Sequence, residues 1–373
     1  MKKIDTILDY LHWRGDLSFA QDPFNEVDSL ILSMACFVDF QGIVPPPGAE
    51  GTVSFLRAME RFDADRSKSR HMGVIIPEET LEMARRASRC PRYANAGLFA
   101  FENKVDESRE MQFAAVTFRL SDGTMFLAFR GTDDTIVGWK EDFNMYFLPH
   151  VPAQAEAAAY LNTVARQYPD PIRAGGHSKG GNLAIWAAVH ADPAVRERVL
   201  RAYSNDGPGF QREMLESPAY QEMRERCITY VPQSSLVGML MEHDENVQII
   251  YSAETGLLQH DPFSWDIDRN RYTYLAERSA FGEHSDATLR NWINSMTPAE
   301  QKELIQDLFE VLESSGAKTL TELDENKVRS VAAMYKTLSG YDRPRRKRLN
   351  EIMGRLISAQ FEAAWMEIVR PER

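Results

Sequence analysis

Two kinds of spacing alternate along this chain of 373 residues. Short, mainly apolar runs occupy the middle, at residues 113–120 (Phe-Ala-Ala-Val-Thr-Phe-Arg-Leu) and 125–129 (Met-Phe-Leu-Ala-Phe). Their length and composition predict strands, and Ser121-Asp122-Gly123 between them is a hairpin turn signal. Further short strands are expected at 171–176, 199–204, 227–231 and 247–252. Elsewhere apolar residues recur every three to four positions, the spacing of an amphipathic helix. This predicts helices over 26–38, over 77–88 behind the start signal Pro77-Glu78-Glu79, and over 182–191, which Asp192-Pro193 ends. The polar stretch 61–70 reads as an exposed loop. Past residue 285 helical spacing takes over, at 291–296, 298–314 and 326–338, with Thr297-Pro298-Ala299-Glu300 as a start signal. A basic cluster at 343–348 leads into a last amphipathic segment, 349–369. The pattern predicts an α/β fold with a mostly parallel central sheet. Residues 1–110 form an N-terminal helical part, 111–290 the core, and 291–373 amphipathic C-terminal helices.

One segment carries a chemical signature. Gly176-His177-Ser178-Lys179-Gly180 fits the G-x-S-x-G nucleophile elbow, with a strand expected before it and a helix after it. A serine hydroxyl is a poor nucleophile, so an enzyme that uses one must present it sharply and place a base beside it. The elbow does the presenting by forcing the serine into a strained turn, while flanking glycines let the backbone pass close by. The bland alternative is an ordinary Gly-rich strand-to-helix turn.

A second segment narrows the reading. Phe129-Arg130-Gly131-Thr132 follows an apolar strand, with Trp139 and Asp142 soon after. Together with the elbow, these residues resemble the lipase class 3 group of α/β-hydrolases. The likeness is closer to an uncharacterised bacterial branch of that group, in which Asp9-Tyr10-Leu11 and Pro23-Phe24-Asn25-Glu26-Val27-Asp28-Ser29 also find counterparts. The resemblance runs over about residues 5–290 and implies an α/β-hydrolase fold with an N-terminal helical segment and a C-terminal helical extension. It also implies a serine hydrolase that cleaves an acyl ester.

Acyl transfer through serine needs a base, an acid to orient it and donors for the oxyanion. In α/β-hydrolases the order along the chain is Ser, then Asp or Glu, then His. Of eight histidines, order removes His12, His71 and His150. His177 lies inside the elbow and is expected to point away from the nucleophile; His190 lies too far along the following helix. His260 is the preferred base, because it sits on a loop after a late strand. That loop also looks like the catalytic-histidine loop of class 3 lipases. His284 is the reserve, and His243, among Glu242, Asp244 and Glu245, reads as a solvated turn.

The resemblance puts the acid after the strand 227–231, but Ser234 and Ser235 stand there, and neither carries a charge. Asp206, at the end of the strand before, is the candidate instead, since functional groups collect at such strand ends. Its alternative is a turn aspartate bonding its own backbone; Ser235 would then orient the histidine, or the site would work as a dyad. For the oxyanion hole, the Lys179 backbone N–H is the first expected donor, and the resemblance assigns the second to Thr132, whose alternative role is to cap the next helix. Asp142 is expected to brace the Arg130 loop.

Composition bounds the rest. An apolar content of 43% supports a large core, and the net charge of −12 argues against nucleic acid as a main partner. Cys36, Cys90 and Cys227 show neither a disulfide framework nor zinc spacing, and the serine-hydrolase reading needs no metal or organic cofactor. There is no signal-peptide core near Met1 and no transmembrane segment. A soluble cytoplasmic enzyme acting on a small-molecule or lipid ester is the expectation, with oligomeric state unknown. Two alternatives stay open: an amidase or thioesterase with the same machinery, and a non-catalytic hydrolase-like binding protein.

Overall fold

In the computed structural model, which describes residues 4–73, 75–146, 148–279, 297–347 and 349, eight strands form one sheet in simple sequential order. They are β1 (Val53–Ser54), β2 (Gly97–Asp106), β3 (Met111–Arg119), β4 (Met125–Phe129), β5 (Ile172–His177), β6 (Val199–Asn205), β7 (Cys227–Pro232) and β8 (Asn246–Ile250). The first four pair antiparallel, and β4 to β8 run parallel. Helices pack on both faces. On one side lie α1 (Ile7–Arg14), α2 (Glu26–Ala35), α3 (Phe55–Ala64) and α4 (Glu79–Arg89); on the other lie α6 (Pro152–Gln167) and α7 (Lys179–Val189), while α5 (Ile136–Asn144) follows β4. The strand β4 explains its unbroken apolar run. Successive side chains point to opposite faces, so Phe126 and Ala128 enter the first core while Met125, Leu127 and Phe129 enter the second.

Two expectations need correcting. The N-terminal part is not helical throughout, because β2 belongs to the central sheet. Only the first half of β2 is buried on both faces and its second half alternates, which blurred its signal. The stretch 61–70 is not all loop either. Residues 61–64 close α3, whose Phe55, Ala58, Met59 and Phe62 are buried at helical spacing.

The N-terminal motif has a structural role. Asp28 accepts both hydrogen bonds of a buried Arg92 fork (2.6 Å each) and further bonds from Tyr93 (2.5 Å) and Tyr10 (3.2 Å). Its other task is local, for it accepts the Asn25 N–H in the capping box of α2 (2.9 Å). A buried carboxylate is tolerable only when its oxygens are satisfied in this way.

Three short helices follow α7, namely α8 (Pro193–Arg196), α9 (Arg212–Leu215) and α10 (Pro218–Met223). The C-terminal layer has α11 (Pro298–Glu313), α12 (Leu320–Glu325) and α13 (Lys327–Gly340). Thr297 and Glu300 form the expected capping box of α11. This layer packs on the segment after β4. Ile305 and Phe309 meet Ile136, the Ile136 N–H donates to the Lys318 carbonyl, and the Leu320 N–H donates to that of Asp134 (2.9 Å each). The expected helices at 291–296 and 349–369, and His284, lie outside the described residues.

Candidate active site

The elbow takes the sharp form its glycines permit. β5 ends at His177, Ser178 adopts φ 59° and ψ −135°, and α7 begins at Lys179. A non-glycine residue held at positive φ stores strain that the surroundings must enforce. Here the enforcement is close packing. A Cβ on Gly176 would sit 2.1 Å from the Gly180 carbonyl carbon, and one on Gly180 would sit 2.2 Å from the Phe129 carbonyl oxygen. Ser178 is half-buried, and its N–H donates to the Asn205 carbonyl at the end of β6 (3.0 Å).

Asp206 follows β6 directly, also at positive φ (55°), and its N–H donates to the Tyr230 carbonyl (2.9 Å). Its fully buried carboxylate lies 2.7 Å through Oδ2 from Nδ1 of His260. The other oxygen, Oδ1, accepts the Ser235 hydroxyl (2.6 Å). The Ser235 hydroxyl therefore meets the Asp206 carboxylate, on the oxygen that His260 leaves free. Ser235 follows β7, the sheet neighbour of the strand β6 that Asp206 follows.

His260 closes a 3₁₀ turn (Gly256–His260) that is pinned around it. The Gln259 carbonyl accepts the Trp265 indole N–H (2.7 Å), the Gln259 side-chain oxygen accepts the Ser234 N–H (2.7 Å), and the His260 carbonyl bonds Nε2 of His177 (2.9 Å). The ring of His177 lies 4.5 Å from that of His260. Burial and the neighbouring His260 hold the His177 imidazole well below its usual pKa, so it is neutral. The His260 side chain is 26% exposed. Among the described residues, Ser178 Oγ and His260 do not form a hydrogen bond. In ligand-free hydrolases such bonds are commonly long and tighten only with substrate.

The loop after β4 passes against the elbow. A Cβ on Gly131 would lie 3.2 Å from Ser178 Cβ, so Thr132 is one residue from the contact with Ser178. The Thr132 hydroxyl donates to Asp142 on α5. Thr132 does not cap α5; Thr135 does, accepting the Gly138 N–H (3.2 Å). Burial pushes the Asp142 carboxyl up to about 6, against the pull of the Lys179 ammonium. The side chain of Lys179 is buried and meets Glu141, also buried, at 3.1 Å. Nothing in the local sequence marks that contact, since the two residues are 38 apart.

His243 is not solvated. It is 6% exposed and bonds Glu245 (2.8 Å). Glu245 also accepts the hydroxyls of Thr229 (2.6 Å) and Tyr220 (2.9 Å). Among the described residues no three His, Cys, Asp or Glu side chains cluster as a metal site, and no helix is long and apolar enough to cross a membrane.

A family model described as Mbeg1-like matches residues 87–310, which takes in the elbow, Thr132, Asp206 and His260. The chain belongs to the Mbeg1-like family. No curated protein matches this Mbeg1-like chain. Among solved structures it is similar to the native Rhizomucor miehei lipase propeptide complex, at 14% identity and a TM-score of 0.32, over 44% of this chain and 60% of that one. It thus spans about three fifths of that lipase's length. It is also similar to M37 lipase, at 11% identity and a TM-score of 0.35, over 57% of this chain and 68% of that one. Likenesses this distant say nothing about the reaction of the Mbeg1-like chain.

Proposed function

We propose that this Mbeg1-like chain is a serine hydrolase that cleaves a small-molecule or lipid acyl ester through an acyl-enzyme at Ser178. The carrying observation is the 2.7 Å His260–Asp206 pair at the strand ends beside a serine held at positive φ. In this reading Ser178 Oγ attacks the carbonyl carbon and His260 Nε2 takes its proton. Asp206 holds Nδ1 and stabilises the imidazolium, as the acid of a triad does. Ser235 keeps Asp206 oriented through its second oxygen. The oxyanion is met by the N–H groups of Lys179 and Thr132. His260 then returns the proton to the leaving alcohol, and water repeats the cycle to release the acid. The same groups serve an amide or thioester.

The reading divides the chain into an N-terminal part (1–110) that also lends β2 to the sheet, a catalytic core (111–290) and a C-terminal helical layer (291–373). Cys36, Cys90 and Cys227 are free thiols, which fits a reducing, cytoplasmic setting.

The test is covalent labelling by a fluorophosphonate of the wild type, Ser178→Ala and His260→Ala. The expected outcome is strong labelling of the wild type and none of either variant. An unlabelled wild type sinks the reading and favours a hydrolase-like binding protein. The missing Ser178–His260 hydrogen bond is the one observation on that side.

A further inference from the structure

The residue after the nucleophile is a lysine, and its side chain does not reach solvent. Its side chain is 1% exposed, and a buried ammonium costs several kcal/mol unless its donors are met. Lys179 Nζ donates to Gln112 Oε1 (2.6 Å), to the Gln112 carbonyl (3.1 Å) and to Glu141 Oε2 (3.1 Å), with Asp142 Oδ1 at 3.7 Å. All three donors are used. Glu141, fully buried, in turn accepts the N–H groups of Gln112 (3.0 Å) and Ala153 (2.8 Å). The network therefore ties the start of α7 to β3, to α5 and to the start of α6. Its outer member, Asp142, accepts the hydroxyl of Thr132.

We propose that the Lys179 side chain is a positioning residue: a buried strut that sets the two oxyanion donors, its own N–H and that of Thr132, at a fixed separation. This rests on the hydrolase reading of Ser178. A stabilising role alone does not call for a charge here, because buried ion pairs are commonly replaced by apolar side chains of similar volume without loss of stability. The charge is useful for geometry. It spans from the elbow to the loop that faces it, and it favours an ionised Asp142 as acceptor for Thr132. The groups that face Asp142 are Lys179 from α7, Thr132 from the loop, and Glu141 beside it on α5, with Asp133 nearby acting on the same ammonium. Burial works against the Lys179 ammonium, yet these three carboxylates hold its pKa above the usual value.

The experiment uses the full chain and the variants Lys179→Met/Glu141→Gln, which removes both charges together, and Lys179→Gln. Every variant keeps the backbone N–H of residue 179, so any effect comes through the side chain. Fluorophosphonate labelling rates and turnover of p-nitrophenyl acetate are measured from pH 5 to 9, beside thermal unfolding. The expected result for whichever variants fold is kcat lower by about 10²-fold, the loss typical of one misplaced oxyanion donor. KM changes little, and in Lys179→Gln the acidic limb of the rate profile moves to higher pH. Wild-type kcat in a folded variant overturns the proposal. Hydrogen exchange at residues 130–135 gives a readout that needs no activity: faster exchange in the variants supports the strut, and unchanged exchange overturns it. An unlabelled wild type defeats the hydrolase reading instead, and the exchange result then stands alone.

Discussion

Two histidine–carboxylate pairs of nearly equal length lie on neighbouring strand connections. His260 meets Asp206 at 2.7 Å, and His243 meets Glu245 at 2.8 Å. Their surroundings differ. Asp206 has one oxygen for His260 and one for Ser235, and the His260 ring is partly open to solvent beside the elbow. Glu245 is saturated by Thr229, Tyr220 and the Asp244 N–H, and Nε2 of His243 is buried with no partner among the described residues. The second pair sits where the connection between β7 and β8 returns to the sheet. Just before it, Phe210 and Glu242 exchange backbone hydrogen bonds (2.8 and 3.1 Å). It thus anchors the loop that delivers Ser235 to Asp206. The difference teaches where to look for chemistry: the proposed catalytic pair keeps one histidine edge open to solvent beside Ser178, while the other is sealed on all sides as a structural clasp.

Exchanging the carboxylates for amides separates the two most sharply. Asp206→Asn should lower kcat on the order of 10⁴-fold, as loss of a triad acid does elsewhere, with the urea midpoint little changed. Glu245→Gln should do the reverse. It leaves a buried hydrogen-bond set incomplete and costs about 1–3 kcal/mol in urea unfolding, while kcat per folded molecule stays within about threefold of wild type. Equal effects on kcat would erase the distinction.

A pH series sharpens the comparison further. Burial pushes the Glu245 carboxyl up, but the bonds from His243 and Thr229 prevail and hold it at about 2, below its usual 4.5. A depressed carboxyl contributes stability that is fully present above pH 4.5 and lost as pH falls from there towards 2. The urea midpoint of the wild type should therefore drop over that window, and the drop should shrink in Glu245→Gln. Equal slopes in the two proteins would remove Glu245 from the account.

The smallest expected effect belongs to Ser235→Ala. It removes one hydrogen bond from Asp206 and leaves the other, so kcat should fall by about tenfold, equivalent to about 1.4 kcal/mol. Loss of the catalytic rate altogether would mean that Ser235 does more than orient the acid.

Much of this arrangement can be read without coordinates, and the parts that cannot share a cause. The strands at 113–120 and 125–129 are legible because a sheet covered on both faces demands mainly apolar runs. The elbow is legible because only glycine fits where Gly176 and Gly180 pass within contact of neighbouring backbone. The helix α3 was obscured by the charged residues along its exposed side, and β2 by a buried half followed by an alternating one. His243 was misjudged because acidic neighbours in sequence suggested solvent, whereas one of them, Glu245, turns inward to bond it.

By itself the sequence determined the strands from residue 113 onward, the strained turn at Ser178, and the strand ends and loops that carry Asp206, His260 and Thr132. Those follow from local sterics and from apolar spacing, which act over a few residues. Only the tertiary structure decided which polar groups meet. Asp206 and His260 are 54 residues apart, Lys179 and Glu141 are 38 apart, and Ser235 and Asp206 are 29 apart. Whether such groups come within hydrogen-bonding distance depends on strand order, register and loop path together. A buried charge also declares its partner only once the surrounding walls exclude water.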